Sequence, residues 1–351
     1  MSYCSRPVTP VLPLGGWAVS TAAFRGGSIA TATREWRVKP TLQEPTFWRR
    51  EPALCLRPAL AVLLLLFSFA VDTAQADAPA RITFDGRLKR DPCFTGRKNE
   101  LVYVELVSPV QLRLMRMNLS GGGAEGSAKA EPLHAEVTAS EFEPACSPDG
   151  RFYAFVQNRG NLSLALVIRD SMTGKDAVVP PAGGFSGMRS PAISPDAGRV
   201  LYSFADEGRQ QICSVDIQAR DRQVLTDSRG VNNWPSFSPD GGRIAFGSTR
   251  DGNFEIYTMA SDGSDVRRLS DHPTQDIRPR FSPDGRRIVF TSNRDENYEL
   301  YVMDVDGSHL IRITEHPERD DYAAWHPDGK RIVAVCERDG AHDLYLLELP
   351  E

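Results

Sequence analysis

The sequence predicts an all-β protein, a six-bladed β-propeller in which an N-terminal strand closes the last blade. Three observations predict this fold: a turn motif that recurs at nearly constant spacing, apolar segments of strand character after each turn, and an isolated strand-like segment at the N-terminal side. With 28 Gly and 25 Pro among 351 residues, the composition is turn-rich and globular.

A Ser-Pro-Asp-Gly turn, or a close variant of it, recurs along the chain with its prolines 47, 44, 44 and 44 residues apart. These prolines are Pro148, Pro195, Pro239, Pro283 and Pro327. Proline presets φ for the second turn position, aspartate bonds its own downstream backbone, and glycine accepts the positive φ that ends the turn. Each motif is therefore expected to join two strands in a tight hairpin.

The residues between the turns have the pattern of strands. In one unit, the apolar segment 288–290 follows the turn, residues 299–303 alternate between apolar and polar, and residues 311–314 close the unit. Alternation over five to seven positions is the period of a half-buried strand. Four strands in about 44 residues correspond to one propeller blade, which needs neighbours to bury both faces.

The ends of the chain complete the count of blades. Residues 101–107 and 110–119 are predicted to be the second and third strands of a unit without the turn motif, which makes six units. The last unit ends at Leu349, after its third strand. Because residues 81–84 resemble 312–315, a fourth strand, we predict that residues 80–85 complete the last blade and close the ring.

Several motifs resemble the TolB-type propeller family, built from PD40 or WD40-like repeats. They are the Ser-Pro-Asp-Gly turns, the lead-ins Pro235-Ser236-Phe237 and Pro279-Arg280-Phe281, Ser292-Asn293-Arg294-Asp295 with Glu299-Leu300-Tyr301, and Leu269-Ser270-Asp271-His272-Pro273. The resemblance covers residues 80–351 and implies the propeller alone, without the α/β domain that precedes it in TolB.

The N-terminal part predicts export. Residues 59–71 are apolar except for Ser68, follow Arg49, Arg50 and Arg57, and precede Ala74-Gln75-Ala76. This pattern is typical of a secretory signal peptide cleaved after Ala76. We therefore interpret residues 1–76 as a signal peptide with a misannotated N-terminal extension, and 77–351 as the mature, periplasmic or secreted propeller without a membrane anchor.

Charge argues against nucleic acid as a partner. Residues 1–76 hold 8 Lys and Arg against 4 Asp and Glu, so the chain total of −5 leaves −9 for residues 77–351. Nucleic-acid surfaces need clustered basic residues, and only five of the lysines follow residue 76. Motifs of a serine nucleophile elbow, a Walker loop, H-E-x-x-H or C-x-x-C do not occur, so we expect no catalytic residues, no metal and no cofactor.

Four cysteines fall in the predicted propeller: Cys93, Cys146, Cys213 and Cys336. Alignment of the repeats puts the last three at blade-interior positions, which favours buried small side chains over metal ligands. Export permits disulfides, and we expect any pair that forms to include Cys93.

One constellation is a candidate binding site. If the innermost strands line a channel, residues at the start of these strands would surround its mouth. The candidates are Glu141, Glu143, Trp234, Asp276, Arg278, Asp320, Asp321 and Tyr322. The acidic residues would give the mouth a negative field, while Trp, Tyr and Arg are enriched at binding hot spots. His272 and His316 are expected in loops beside it, and a rim of solvated charges is the competing interpretation.

We therefore predict an exported, monomeric, non-catalytic module that binds a protein or peptide at the channel mouth, with the cell envelope as a candidate location. The alternative is a propeller enzyme of lyase or lactonase type that uses a divalent cation bound in the channel. It would require His, Asp or Glu side chains that converge at mid-channel.

Overall fold

A computed structural model describes residues 79–97, 99–119, 129–160, 163–181, 187–206 and 208–350. The described residues form six four-stranded antiparallel sheets, so the prediction of an all-β, six-bladed propeller is confirmed. Among these residues, no helix is long and apolar enough to cross a membrane. The predicted signal peptide and extension, residues 1–76, lie outside the described residues.

Each blade is formed by four strands in sequence order, apart from the last. Blade 1 contains β2 (Lys89–Phe94), β3 (Glu100–Ser108), β4 (Gln111–Asn118) and β5 (Glu131–Pro132). Blade 2 contains β6 (Glu141–Cys146), β7 (Phe152–Asn158), β8 (Leu164–Asp170) and β9 (Asp176–Val179). Blade 3 contains β10 (Met188–Ile193), β11 (Arg199–Asp206), β12 (Arg209–Asp216) and β13 (Gln223–Val224).

The other three blades follow the repeat closely. Blade 4 contains β14 (Asn232–Phe237), β15 (Arg243–Ser248), β16 (Glu255–Ala260) and β17 (Arg267–Arg268). Blade 5 contains β18 (Asp276–Phe281), β19 (Arg287–Asp295), β20 (Asn297–Asp304) and β21 (Ile311–Arg312). Blade 6 contains β22 (Asp320–Trp325), β23 (Arg331–Arg338), β24 (Ala341–Glu348) and, from the N-terminal side, β1 (Ala80–Arg81).

The repeated turns have the expected geometry. In blade 5 the Ser282 hydroxyl donates to the Asp284 carboxylate at 2.5 Å, and the same carboxylate accepts the backbone N–H of Arg286 at 3.1 Å. Gly285 follows with φ of +71°. The hydrogen bonds from Ser282 and Arg286 hold the pKa of Asp284 below its usual range. The motif therefore forms hairpins, and its polar side chains are used for hydrogen bonds within the turn.

The innermost strands of the six blades form a closed ring. Each lies beside the innermost strands of the two neighbouring blades, with β2 next to β22. Apolar side chains of adjacent blades pack between the sheets; one such core joins Phe246 of blade 4 to Leu201 of blade 3. The cores thus alternate with the blades around a central channel.

The N-terminal strand closes blade 6 as predicted. β1 pairs with β24, with Arg81 opposite Tyr345. The Thr83 hydroxyl donates to the Asp343 carboxylate at 2.6 Å, and Arg81 donates to the same carboxylate. Lys89 of blade 1, 1% exposed, also contacts Asp343 at 3.2 Å. Asp343 therefore links the N-terminal strand, the last blade and the first blade.

The same chemistry occurs in the regular blades. Glu299 of blade 5 accepts the hydroxyl of Thr314 and the backbone N–H of His316, as Asp343 accepts Thr83. This explains why residues 81–84 resemble residues 312–315: both supply a hydroxyl to a buried carboxylate on the third strand. For blade 1, the two predicted strands are confirmed as β3 and β4, and the sequence did not predict β2.

Candidate functional site

Each innermost strand carries a β-bulge at its centre. The pairing with the second strand shifts register there, for example between Ile277 and Arg280 in blade 5 and between Asn233 and Ser236 in blade 4. The first bulged residue in every blade is not glycine and yet has φ between +50° and +56°. These residues are Asp91, Glu143, Ser190, Trp234, Arg278 and Tyr322, and we call them the bulge ring.

The bulge ring lines a cavity in the channel. Its wall also contains Arg90, Arg280 and the prolines Pro92, Pro144 and Pro191. The cavity offers water about 30 Å³ of space, and at roughly 10–15 Å³ per water this corresponds to two or three waters. The cavity therefore admits a slender group, and anything larger has to remain at its opening.

Arg278 lies between two aromatic rings from neighbouring blades. Its guanidinium carbon is 4.3 Å from the ring centre of Tyr322 and 5.1 Å from that of Trp234. It also forms an ion pair with Asp321 at 3.2 Å, and its buried Nε has no hydrogen-bond partner among the described residues. Five of the predicted site residues, Glu143 included, thus lie together on the cavity or against it.

Glu143 faces the cavity from blade 2. Its carboxylate accepts the backbone N–H of Ser190 at 2.6 Å and lies 3.5 Å from Arg90 and 3.6 Å from Arg189. Burial and the negative charge of Asp91 raise the pKa of Glu143, against the opposing effect of the hydrogen bond and the two arginines. Asp91 in turn pairs with Arg90 at 2.7 Å.

Arg280 enters the cavity from blade 5 without a carboxylate partner. Its guanidinium donates to the carbonyl oxygen of Pro235 at 3.2 Å, and among the described residues it forms no ion pair. Burial lowers the pKa of this guanidinium. The equivalent position after the bulge holds small residues in the other blades: Cys93, Ala145, Ala192, Ser236 and Ala324.

Three predicted site residues do not reach the channel. Glu141, Asp276 and Asp320 are 2%, 0% and 0% exposed, because they point into their own blades. Asp276 pairs with Arg294 at 2.9 Å, and Asp320 pairs with Arg338 at 2.6 Å. The prediction that these carboxylates give the mouth an acidic field is therefore wrong, since each is buried and neutralised or hydrogen-bonded.

Glu141 is bonded in a related way, to His134 at 2.8 Å and to Gln157 at 3.1 Å. Asp321, although 1% exposed, is part of the channel wall through its ion pairs with Arg278 and Arg319. The Arg294 and Arg338 pairs act within a blade.

The two candidate histidines lie on the loops after β17 and β21. The backbone N–H of His272 donates to Glu255, and that of His316 donates to Glu299, both at 2.8 Å. Neither imidazole lines the cavity. The structure therefore assigns both residues to the closing turn of their blades.

The wall of the cavity carries an excess of positive charge. Arg90, Arg278 and Arg280 line it together with two carboxylates, those of Asp91 and Glu143. Three positive and two negative groups leave one positive charge. Sequence reasoning missed Arg90, Asp91 and Arg280; the Asp91-Pro92 pair, which matches Glu143-Pro144, was the available signal.

Comparisons with known protein families match the chain over its repeats. Residues 134–277 match the family model described as TolB beta propeller domain, PD40. The chain has a TolB-like β-propeller fold. Residues 260–345 of this TolB-like propeller also match the model described as Tricorn protease N-terminal beta propeller domain. Among curated proteins, none matches the sequence.

Solved structures share the propeller at low identity. A putative TolB from Agrobacterium tumefaciens is 23% identical, with a TM-score of 0.56 over 76% of this chain and 91% of that chain. A gluconolactonase from Xanthomonas campestris is 18% identical, with a TM-score of 0.55 over 78% and 96%. An oligogalacturonate lyase from Vibrio parahaemolyticus is 14% identical, with a TM-score of 0.51 over 77% and 93%. These likenesses show the fold alone, and they include both TolB and enzymes.

Proposed function

We propose that this TolB-like propeller is a non-catalytic binding module, periplasmic or secreted, that recognises a protein or peptide partner at the opening of its channel. The observation that carries the proposal is the stack of Trp234, Arg278 and Tyr322, three side chains from three blades around one cavity. Aromatic residues and arginine dominate the energetics of protein interfaces. Glu143 and Asp321, which hold the arginines of this wall in place, complete the proposed site.

The geometry favours recognition over bond making. A divalent cation in the channel, as the enzyme alternative requires, needs carboxylates or imidazoles that are free to coordinate it. Asp91 and Glu143 each lie within ion-pair distance of Arg90. Among the described residues, no group of three or more His, Cys, Asp or Glu side chains is arranged to hold a metal ion. Metal-titration calorimetry tests this alternative directly.

The test of the proposal is differential capture from an envelope extract. Immobilised wild-type chain is compared with Trp234→Ala and Tyr322→Ala, which remove packed area from the contact. We expect each to weaken binding of a captured partner by about 2 kcal/mol or more. Asp284→Ala, a change in a distant turn, serves as the matched control and should leave capture unchanged.

A partner that ignores both aromatic variants yet is lost with Asp284→Ala in a folded protein would place the binding site on the outer blade edges. Mass spectrometry of the protein from its native host tests the localisation, with Asp77 expected at or near the N-terminus. An intact N-terminus retained in the cytosol would overturn the proposal of export.

A further inference from the structure

We propose that the group a partner inserts into the channel is a carboxylate, and that Arg280, with Arg278 and Arg90, is the subsite that receives it. This inference rests on the proposed function and names the chemistry of the recognised group. It reverses the expectation of a negative field at the channel mouth that the sequence suggested.

The first argument is that, in the part of the chain that the structure describes, Arg280 has no carboxylate within ion-pair distance, although Asp91 and Glu143 act on it from farther away. Its hydrogen bond to the carbonyl of Pro235 uses one of the five N–H donors that a guanidinium carries. A partly buried charge without a close counterion is costly, and proteins ordinarily pair it. A carboxylate that enters the cavity would supply both the missing charge and the acceptors.

The second argument is that Arg280 is the exception among its equivalents. The other five blades carry Ala, Ser or Cys at this position, so the propeller wall forms without a long side chain there. The repeat therefore does not require an arginine. A single guanidinium placed among small residues, beside the cavity, has the features of a ligand group.

The third argument is the charge of the surrounding wall. Three arginines and two carboxylates line the cavity, and the buried Nε of Arg278 has no hydrogen-bond partner among the described residues. Guanidinium groups bind carboxylates through paired N–H donors. The excess of one positive charge favours an anion, and it disfavours the lysine or arginine of a basic partner.

The wall also indicates an anion with a carbon stem. Pro92, Pro144 and Pro191 line the cavity together with the rings of Trp234 and Tyr322. These apolar surfaces contribute nothing to an inorganic ion but pack against the carbon atoms beside a carboxylate. A cavity for two or three waters accommodates such a group at the end of a chain or of an acidic side chain.

The experiment uses three small probes with the full chain. N-acetylglycine carries a chain-end carboxylate, the α-amide of N-acetylaspartic acid carries a side-chain carboxylate, and N-acetylglycinamide carries neither. Binding is followed by the ¹⁵N–¹H resonances of arginine side chains. We expect one or both acids to bind at least tenfold more tightly than the amide and to shift the Arg280 and Arg278 signals; which acid binds identifies the source.

Arg280→Gln removes the charge and keeps a polar side chain with N–H donors. We expect it to abolish the preference for the acids. Arg286→Gln, an exposed arginine in the same blade, is the matched control and should keep the preference. Equal binding of all three probes, or an acid preference that survives Arg280→Gln, would overturn the subsite.

The outcomes separate this inference from the proposed function. A captured partner that is lost with Trp234→Ala but indifferent to Arg280→Gln would refute the carboxylate subsite and leave the binding module in place. If the acids bind through Arg280 while capture ignores Trp234→Ala and Tyr322→Ala, the carboxylate subsite stands and the proposed binding module is refuted.

A second inference rests on different residues. We infer that Cys93 and Cys146 form a disulfide that joins blades 1 and 2. Their sulfur atoms lie 3.2 Å apart on neighbouring innermost strands, β2 and β6. A disulfide has a sulfur–sulfur distance of about 2.05 Å, so a small approach suffices. Disulfides persist in oxidising compartments, which agrees with the proposed export.

The reaction is thiol–disulfide exchange with a disulfide oxidant. Cys93 and Cys146 lose two protons and two electrons, their sulfurs become bonded, and the oxidant is reduced to two thiols. The hydrogen bond with Cys93 and burial raise the pKa of the Cys146 thiol, so exchange at Cys146 is slow. A cavity lies beside Cys146 and offers water about 150 Å³ of space. It gives a small oxidant access.

The test is incubation of the full chain with glutathione disulfide, followed by peptide mapping without reduction. We expect one crosslinked species that contains Cys93 and Cys146 and is lost in Cys93→Ser and Cys146→Ser. Cys213 and Cys336, buried in other blades, are internal controls and should remain alkylatable after denaturation. Both Cys93 and Cys146 remaining alkylatable, or a crosslink that joins other cysteines, would overturn the inference.

Discussion

Charged side chains at the starts of the innermost strands differ in their pairing from those at the strand centres. At the starts, Asp276 and Asp320 are fully buried, and each has an arginine from the next strand of its own blade. At the centres, Arg280 has no carboxylate within ion-pair distance among the described residues, and the channel wall keeps one surplus positive charge. Charges that repeat from blade to blade thus stabilise the blade, whereas the charge that does not repeat is available to a ligand.

Replacing Asp276 by alanine should have the largest effect on stability. Arg294, only 14% exposed, would be left as a buried charge without its partner. Breaking a buried ion pair in this way typically costs about 3–5 kcal/mol. Urea denaturation measures the free energy of unfolding.

Blade 4 supplies the control for this change, because Asn232 occupies the equivalent position and accepts a hydrogen bond from Arg250 at 3.2 Å. Asp276→Asn should therefore cost much less than Asp276→Ala. Equal costs for the two variants would show that the negative charge is what the strand start provides, and not the packing and the hydrogen-bond acceptor that asparagine keeps.

The next effect concerns Asp343 at the seam between the first and last blades. Asp343→Asn removes the charge that faces Lys89, which is buried, and we expect a loss of about 2 kcal/mol at neutral pH. Burial would raise the pKa of Asp343, but hydrogen bonds from Thr83 and Arg81 and the charge of Lys89 hold it below its usual range.

The direction of this pKa fixes the pH dependence. A carboxylate whose pKa is lowered on folding adds stability above its unfolded value of about 3.9, and this stability is lost as the pH falls through the folded value. The difference between wild type and Asp343→Asn in thermal melts should therefore shrink below about pH 4. A difference that stays constant down to strongly acidic pH would contradict the role of the ionised carboxylate.

A smaller effect is expected at the repeated turns. Asp284→Ala removes the acceptor for Ser282 and for the backbone of Arg286, and a hydrogen bond of this kind contributes about 1 kcal/mol. The change should lower the melting temperature slightly and leave the acid preference of the channel unchanged. Loss of that preference in the folded variant would show that turn and channel are coupled.

The smallest effect on stability should come from Arg280→Ala. Alanine stands at this position in three other blades, and its introduction removes a guanidinium that has no counterion. We expect the free energy of unfolding to change by less than about 1 kcal/mol, with neutral or increased stability, because uncompensated buried charges oppose folding. A loss comparable to that of Asp276→Ala would mean that Arg280 is part of the blade structure after all.

The turns carried most of the fold prediction because their chemistry is local. Ser282, Asp284 and Gly285 form their turn from four consecutive residues, so a single sequence suffices to locate the hairpin. Closure by residues 81–83 was also predictable, since the Arg-Ile-Thr segment repeats that of blade 5. β2 escaped prediction because it is not followed by a Ser-Pro-Asp-Gly turn, although Asp91-Pro92 has the pattern of a bulge.

The candidate site was only partly predictable because a bulge changes the direction of a side chain. In a regular strand, Asp276 and Arg278 would point to the same face, since the alternation has a period of two. The bulge, with φ of +56° at Arg278, sends Arg278 into the channel and leaves Asp276 inside the blade. The sequence gives positions along the strand, but this change of direction is a property of the folded backbone.

Because the residues of the bulge ring have a positive φ, the side chains that line the channel are unusually easy to replace. Side chains in this conformation carry strain that glycine does not, so Trp234→Gly or Tyr322→Gly would erase a side chain and relax the backbone in the same step. The six side chains can therefore be removed one at a time, with the hairpins and the ion pairs within the blades left in place. The propeller thus amounts to a rigid frame with six exchangeable contacts, a scaffold on which new recognition can be selected without rebuilding the fold.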